Sequence, residues 1–145
     1  MQTGSDGLFG CVEAGGAKFV CAVADSDGKR TLHVSDSWIL HSLTGKDSGE
    51  NGIEVECLSL DTALAVIERC DFLKLDCEGG EYEILYSASP ETILKIGRIV
   101  CEFNVIDEDK RNGEGLREFL NANGFYVDEL KPLDRTSGFI CARRA

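Results

Sequence analysis

Asp71-Phe-Leu-Lys-Leu-Asp76-Cys-Glu78-Gly79-Gly80-Glu81 is the stretch that decides the reading of this 145-residue chain. Residues 72–75 are a short, largely apolar run that reads as a strand. The run leads straight into three carboxylates and a Gly-Gly turn, and residues 82–87 read as a helix behind it. In an open α/β sheet, ligands gather outside the carboxyl ends of the strands. A strand that stops in Asp76, Glu78 and Glu81 therefore concentrates acid and permissive backbone where chemistry is usual. The purely architectural reading of the same residues is that Asp76 caps the following helix while Glu81 sits near its positive end. Two details point beyond it. Lys74 interrupts the apolar strand and needs a partner or a route to solvent. Glu102 ends a later apolar strand, residues 98–103, just as Asp76 ends this one. If the two strands are parallel neighbours, Asp76, Glu78 and Glu102 share one edge of the sheet. Such a cluster can bind a cationic ligand, hold a divalent metal, or supply a carboxylate base.

Outward from this junction, strand and helix patterns alternate. Phe19-Val-Cys-Ala-Val-Ala24 is a continuous apolar run closed by Asp25-Ser-Asp27-Gly28, which predicts a buried strand entering a turn. Thr31-Leu-His-Val34 predicts a short strand. Residues 41–52 then shift to Ser, Gly, Asp, Lys and Asn, the composition of a long functional loop. Ile53-Glu-Val55-Glu-Cys57 alternates like a half-buried strand, and Asp61 is placed to cap a helix carrying Ala63, Leu64 and Ile67. Ser89-Pro90-Glu91 opens another helix with a capping hydroxyl, a proline at the first position and an acid in the first turn; Gly97 ends it. Leu116, Phe119 and Leu120 lie at helical spacing, with Gly124 closing that helix. Residues 125–130 and 139–142 read as final strands that pair antiparallel. The order β-α-β-α-β-α-β-β predicts an α/β fold, its sheet mostly parallel with an antiparallel C-terminal strand pair.

The length suits one domain with a single core, and 43% apolar and 28% charged residues are ordinary for a globular protein. A net charge of −11 and a pI near 4.6 argue against nucleic acid as a partner, since phosphate binding needs a basic face. The seven cysteines are odd in number, form no Cys-x-x-Cys pair and mostly lie in apolar runs. They read as small hydrophobes of a reducing, cytoplasmic protein rather than a disulfide framework or a zinc site. No apolar run approaches the ~20 residues of a membrane span, and residues 1–10 lack the pattern of a signal peptide. His33 and His41 stand alone, although His41 in the Ser/Gly loop is placed to face an acceptor.

The acidic junction resembles the D-hydrophobic-hydrophobic-K-hydrophobic-D-x-E-G-x-E signature of FkbM-type methyltransferases. Ala22-Val-Ala-Asp25-Ser-Asp27-Gly28 looks like that family's third strand and turn, and Leu58-Ser-Leu60-Asp61 like its T-L-D helix opening. His41-Ser42-Leu43 sits where a Ser-rich loop on the substrate side is usual, and Val100-Cys-Glu102-Phe resembles the fifth strand. The resemblance implies a Rossmann-like sheet and methyl transfer from S-adenosylmethionine to an oxygen of a sugar or other small natural product. It places Asp76 beside the methionine end of the cofactor or the acceptor, and Asp25 near the adenine. Glu78, Glu81 and Glu102, with His41 and Ser42, fall on the acceptor side. A carboxylate base among Asp76, Glu78 and Glu102 suits an alcohol acceptor, whose proton leaves as the methyl arrives. Only residues 1–18 precede the strand that opens at Phe19. The likeness thus implies a domain over residues 19–145 without the family's first two strands and glycine loop, behind an unassigned segment 1–18.

Two further readings stand beside this one. Such a sheet would leave an open edge, which invites a second copy of the chain and suits a non-catalytic module that binds a partner or a metal. Gly10-Cys-Val-Glu13-Ala-Gly15-Gly16-Ala-Lys18 resembles the opening strand-turn-strand of ROK sugar kinases, with Ala17 where that family has threonine. That likeness implies a phosphate-binding turn.

Overall fold

The computed structural model describes residues 12–14, 17–19, 22–34, 41–42, 52–77 and 79–144. Strands β1 (Val12–Ala14) and β2 (Ala17–Phe19) form an antiparallel hairpin, with Val12 opposite Phe19. Four strands, β3 (Ala22–Ala24), β4 (Gly28–Val34), β5 (His41–Ser42) and β6 (Gly52–Ser59), build a sheet in the order β3-β6-β4-β5. The run expected as one strand from Phe19 to Ala24 is thus divided. Phe19 pairs within the hairpin, whereas Ala22 to Ala24 run parallel to Cys57 to Ser59.

The bend at Asp25, Ser26 and Asp27 reverses the chain after β3, yet β6 lies between β3 and β4 and pairs antiparallel with the latter. Asp27 secures this bend, accepting from the Ser59 amide at 2.6 Å and the Thr62 hydroxyl at 2.7 Å. Helix α1 (Leu60–Ala63) follows β6 directly. Its cap is Ser59, whose Oγ accepts from the Thr62 amide at 3.2 Å. Asp61, expected as the cap, instead reaches across to accept from the amide and hydroxyl of Ser89, both at 3.0 Å. Ile67 lies beyond the helix and is 37% exposed.

The remaining chain forms the larger unit: β7 (Leu73–Asp76), α2 (Glu81–Ser87), α3 (Pro90–Lys95), β8 (Arg98–Asn104), α4 (Gly113–Ala122), β9 (Phe125–Pro132) and β10 (Ser137–Arg144). Its sheet runs β7-β8-β10-β9. The β7–β8 pair is parallel because α2 and α3 carry the chain back between them; β10 enters antiparallel to both β8 and β9. The antiparallel closing pair is as expected, but a mostly parallel sheet is not what forms. Both sheets are mixed, since chain reversals after β3 and β9 return antiparallel strands.

Alternation in β8 sends Ile99, Cys101 and Phe103 into the core and leaves Val100, Glu102 and Asn104 half-buried on the other face. Ile140 of the neighbouring β10 extends the buried face, and Leu116 and Leu120 from α4, Ile84 and Leu85 from α2 and Ile93 from α3 pack into the same core. Val23, Leu60 and Leu64 join the same cluster, so one apolar core serves both sheets. Each such Leu or Ile contributes roughly 1.5–3 kcal/mol by leaving water. Cys57, Cys77 and Cys101 are among these buried side chains. No helix of the described residues is long and apolar enough to cross a membrane.

Candidate active site at the ends of the parallel strands

β7 and β8 are parallel and in register, so Asp76 stands directly opposite Glu102. Neighbouring positions on adjacent strands point to the same face. Lys74 shares that face two residues earlier, and its ammonium meets Asp76 Oδ2 at 3.0 Å while remaining 60% exposed. The lysine that interrupts the strand thus has both a partner and solvent. With Asp76 43% exposed as well, the pair is worth about 0–1 kcal/mol and yields easily to a ligand. Asp76 does not cap α2. The cap is Gly80, which makes no side-chain bond, and the work of closing the turn falls to Glu81.

Glu81 is fully buried. It reaches back from the first turn of α2 so that one carboxylate oxygen accepts from the Cys77 amide at 2.5 Å and the other from the Gly79 amide at 2.9 Å. Burial pushes its carboxyl up to about 7, against the pull of the amides of Glu81, Cys77 and Gly79, and Asp76 nearby adds to the rise. Gly79 makes the turn possible with φ of +104°, a conformation open to glycine. Glu81 therefore shapes the turn from beneath, with both oxygens committed to backbone. Glu78 lies outside the described residues, so the third acid of the expected cluster is not placed. His41 and Ser42 form β5, opposite Val34 and His33 of β4; their side chains lie outside the described residues.

Asp25 lies where β3 ends, paired with Arg30, whose guanidinium also donates to the Ser26 hydroxyl at 2.9 Å. It opens on a cavity of about 310 Å³ shared with Tyr82, Glu83, Tyr86, Ser87 and Arg111. Asp76 and Glu102 do not line it. The structure thus brings Asp76 to Glu102, and sets Asp25 beside Tyr82, Glu83, Tyr86 and Ser87 of α2.

The residues between these two places were not singled out by the sequence reading. Tyr82 donates from its hydroxyl to the Asn104 carbonyl at 2.6 Å, tying α2 to the end of β8. Tyr86 donates to the Lys110 carbonyl at 2.8 Å, and burial raises its phenol to about 12. Asp107 accepts from the amides of Asp109, Lys110 and Arg111 at 3.1, 2.9 and 2.9 Å, and from Arg111 Nε at 2.7 Å. These bonds, the Arg111 side chain foremost, hold its carboxyl well below the usual carboxylate range. Arg111 also approaches Glu83 at 3.5 Å. The Tyr82/Tyr86 spacing and the Asp107/Arg111 spacing are both i, i+4, the only sequence signal of this wall. Among the described residues no group of three or more His, Cys, Asp or Glu is arranged to hold a metal ion.

No curated protein and no solved structure matches the chain. The Methyltransferase FkbM domain matches residues 4–127, which include the acidic junction, both strands that meet at Asp76 and Glu102, and the segment similar to sugar kinases. With the match spanning most of its length, the chain belongs to the FkbM methyltransferase family.

Proposed function

We propose that this chain is the methyl-transferring domain of an S-adenosylmethionine-dependent enzyme acting on a hydroxyl oxygen of a sugar or another small natural product. The observation that carries the reading is the register of Asp76, the last residue of β7, with Glu102, two residues before the end of β8, within a family of methyltransferases. Asp25 fits an adenine: it borders a cavity that Tyr86 also lines, where a purine finds aromatic surface and, in exchange for Arg30, a carboxylate acceptor for its amino group. Asp76 fits the cationic amino-acid end, because its exposed bond to Lys74 is easily exchanged. The cofactor, when bound, supplies an electrophilic methyl group. The chain's part is to orient the acceptor hydroxyl beside Asp76 and Glu102 and to take its proton on a carboxylate oxygen as the oxygen is methylated.

Calorimetric titration with S-adenosylmethionine and its demethylated product tests the cofactor assignment. Saturable binding that weakens at least about tenfold in Asp76→Ala is the expected result. Absence of heat at roughly millimolar ligand rejects cofactor use by this chain. Transfer of labelled methyl from the cofactor to a panel of sugars, lost in Glu102→Gln with cofactor binding retained, tests the acceptor side.

A further inference from the structure

A cavity of about 710 Å³ lies at the other end of the parallel pair, where β7 and β8 begin. Arg98 borders it and Glu102 is four residues up the same strand, ~13 Å away at the rise of a strand. The cavity is therefore separate from the proposed active site.

Its chemistry is unlike the rest of this acidic chain. Four cations and two carboxylates line it, although the chain as a whole carries −11. Arg144 is committed to the fold: it donates to the carbonyls of Ile93 at 2.7 Å, Ile96 at 3.2 Å and Asn123 at 3.0 Å. Lys95 gives one of its three donors to the Leu64 carbonyl at 2.8 Å and keeps the others. Arg69 pairs with Asp71 at 2.7 Å, but side-chain exposures of 75% and 81% leave that pair open to exchange. Arg98 is exposed and, among the described residues, makes no side-chain hydrogen bond or ion pair. Beside these cations, Leu94 and Phe72 stand 63% and 56% exposed, over a floor formed by buried Ile96. A fork of unused donors next to uncovered apolar surface matches a ligand with an anionic head and an apolar body. The volume lies in the range of small-molecule sites, about 300–1,000 Å³.

We propose that this cavity is a second binding site, for a small organic anion such as an aryl or alkyl phosphate or carboxylate. Arg98 grips the anionic group with help from Lys95 and Arg69, and Leu94 and Phe72 cover the body. The assignment is independent of the methyl-transfer reading. The test uses 1-naphthyl phosphate, with neutral 1-naphthol as the control, followed by amide shifts in nuclear magnetic resonance spectra of the full chain. Saturable shifts at Phe72, Leu94, Gly97 and Arg98 are expected, with affinity that falls as salt rises. Arg98→Gln should weaken the phosphate about tenfold and Arg98→Lys less, because lysine keeps the charge and loses the fork. Leu94→Asn should weaken the phosphate as well, with unchanged melting temperatures showing that all three variants fold. Shifts centred elsewhere, equal binding of naphthol, or wild-type affinity in Arg98→Gln overturn the proposal.

Discussion

At the scale of single residues, Glu81 sets the energetics of the acidic turn. Its folded-state carboxyl titrates near 7 against an ordinary 4.5, so the folded form holds a proton that the unfolded chain has already released between those values. Stability from this group is fully present below about 4.5 and declines as pH rises, with the loss complete above about 7. The shift corresponds to roughly 3 kcal/mol. Glu81→Gln, which keeps an acceptor for one of the two amides, should show a flatter dependence of the urea midpoint on pH across that window. An identical slope in both proteins would remove the account. Gly79 makes a second residue-scale prediction. A side chain there would adopt φ of +104° and bring its Cβ within 3.2 Å of Ile106 Cδ1, so Gly79→Ala should cost about 1 kcal/mol or more in denaturant titration. Asp76 was legible as a strand end by its sequence pattern alone, whereas β8 runs two residues past Glu102 to Asn104. The burial of Glu81 was not legible, because nothing in Gly-Gly-Glu-Tyr tells which side of the turn the core will occupy.

At the scale of elements, helix α4 shows how local signals and contact combine. Asn112 caps it by accepting from the Gly115 amide at 3.0 Å, and donates through Nδ2 to the Asp107 carbonyl at 3.1 Å. Asn112→Ala removes both bonds and should lower stability by about 1 kcal/mol, read from the thermal midpoint. Leu116 is fully buried beneath the same helix, and Leu116→Ala should cost about 2–5 kcal/mol. The amphipathic spacing at 116, 119 and 120 and the Ser89-Pro90 opening identify α4 and α3 from sequence, because capping and periodicity are local properties. Partner choice is not local. β6 alternates as a half-buried strand should, yet its insertion between β3 and β4 follows from which neighbours cover its faces and edges.

For the whole molecule, Asp61 joins the two sheet units. It rides on α1, behind the first sheet, and receives the amide and hydroxyl of Ser89 at the start of α3. Hydrogen bonds of Thr92 and Ser89 hold its carboxyl below the ordinary 3.8. Its contribution is therefore present above that value and is lost as pH falls beneath it. Asp61→Ala strips acceptors from a part-buried cap, and a loss of about 1–3 kcal/mol in equilibrium unfolding is expected. Intact stability in this variant would show that the shared core and the Lys95–Leu64 bond hold the two sheets without it.

Taken by itself, the sequence determined the strand and helix inventory from residue 52 onward, the antiparallel ending, and the family, since each rests on spacing, caps and contiguous motifs. The tertiary structure decided the mixed sheets, the burial and raised carboxyl of Glu81, and the tyrosine wall facing Asp25. It also decided the basic cavity at the far end of β7 and β8. Each of these depends on residues far apart in the chain meeting in space, and on the water they exclude when they do.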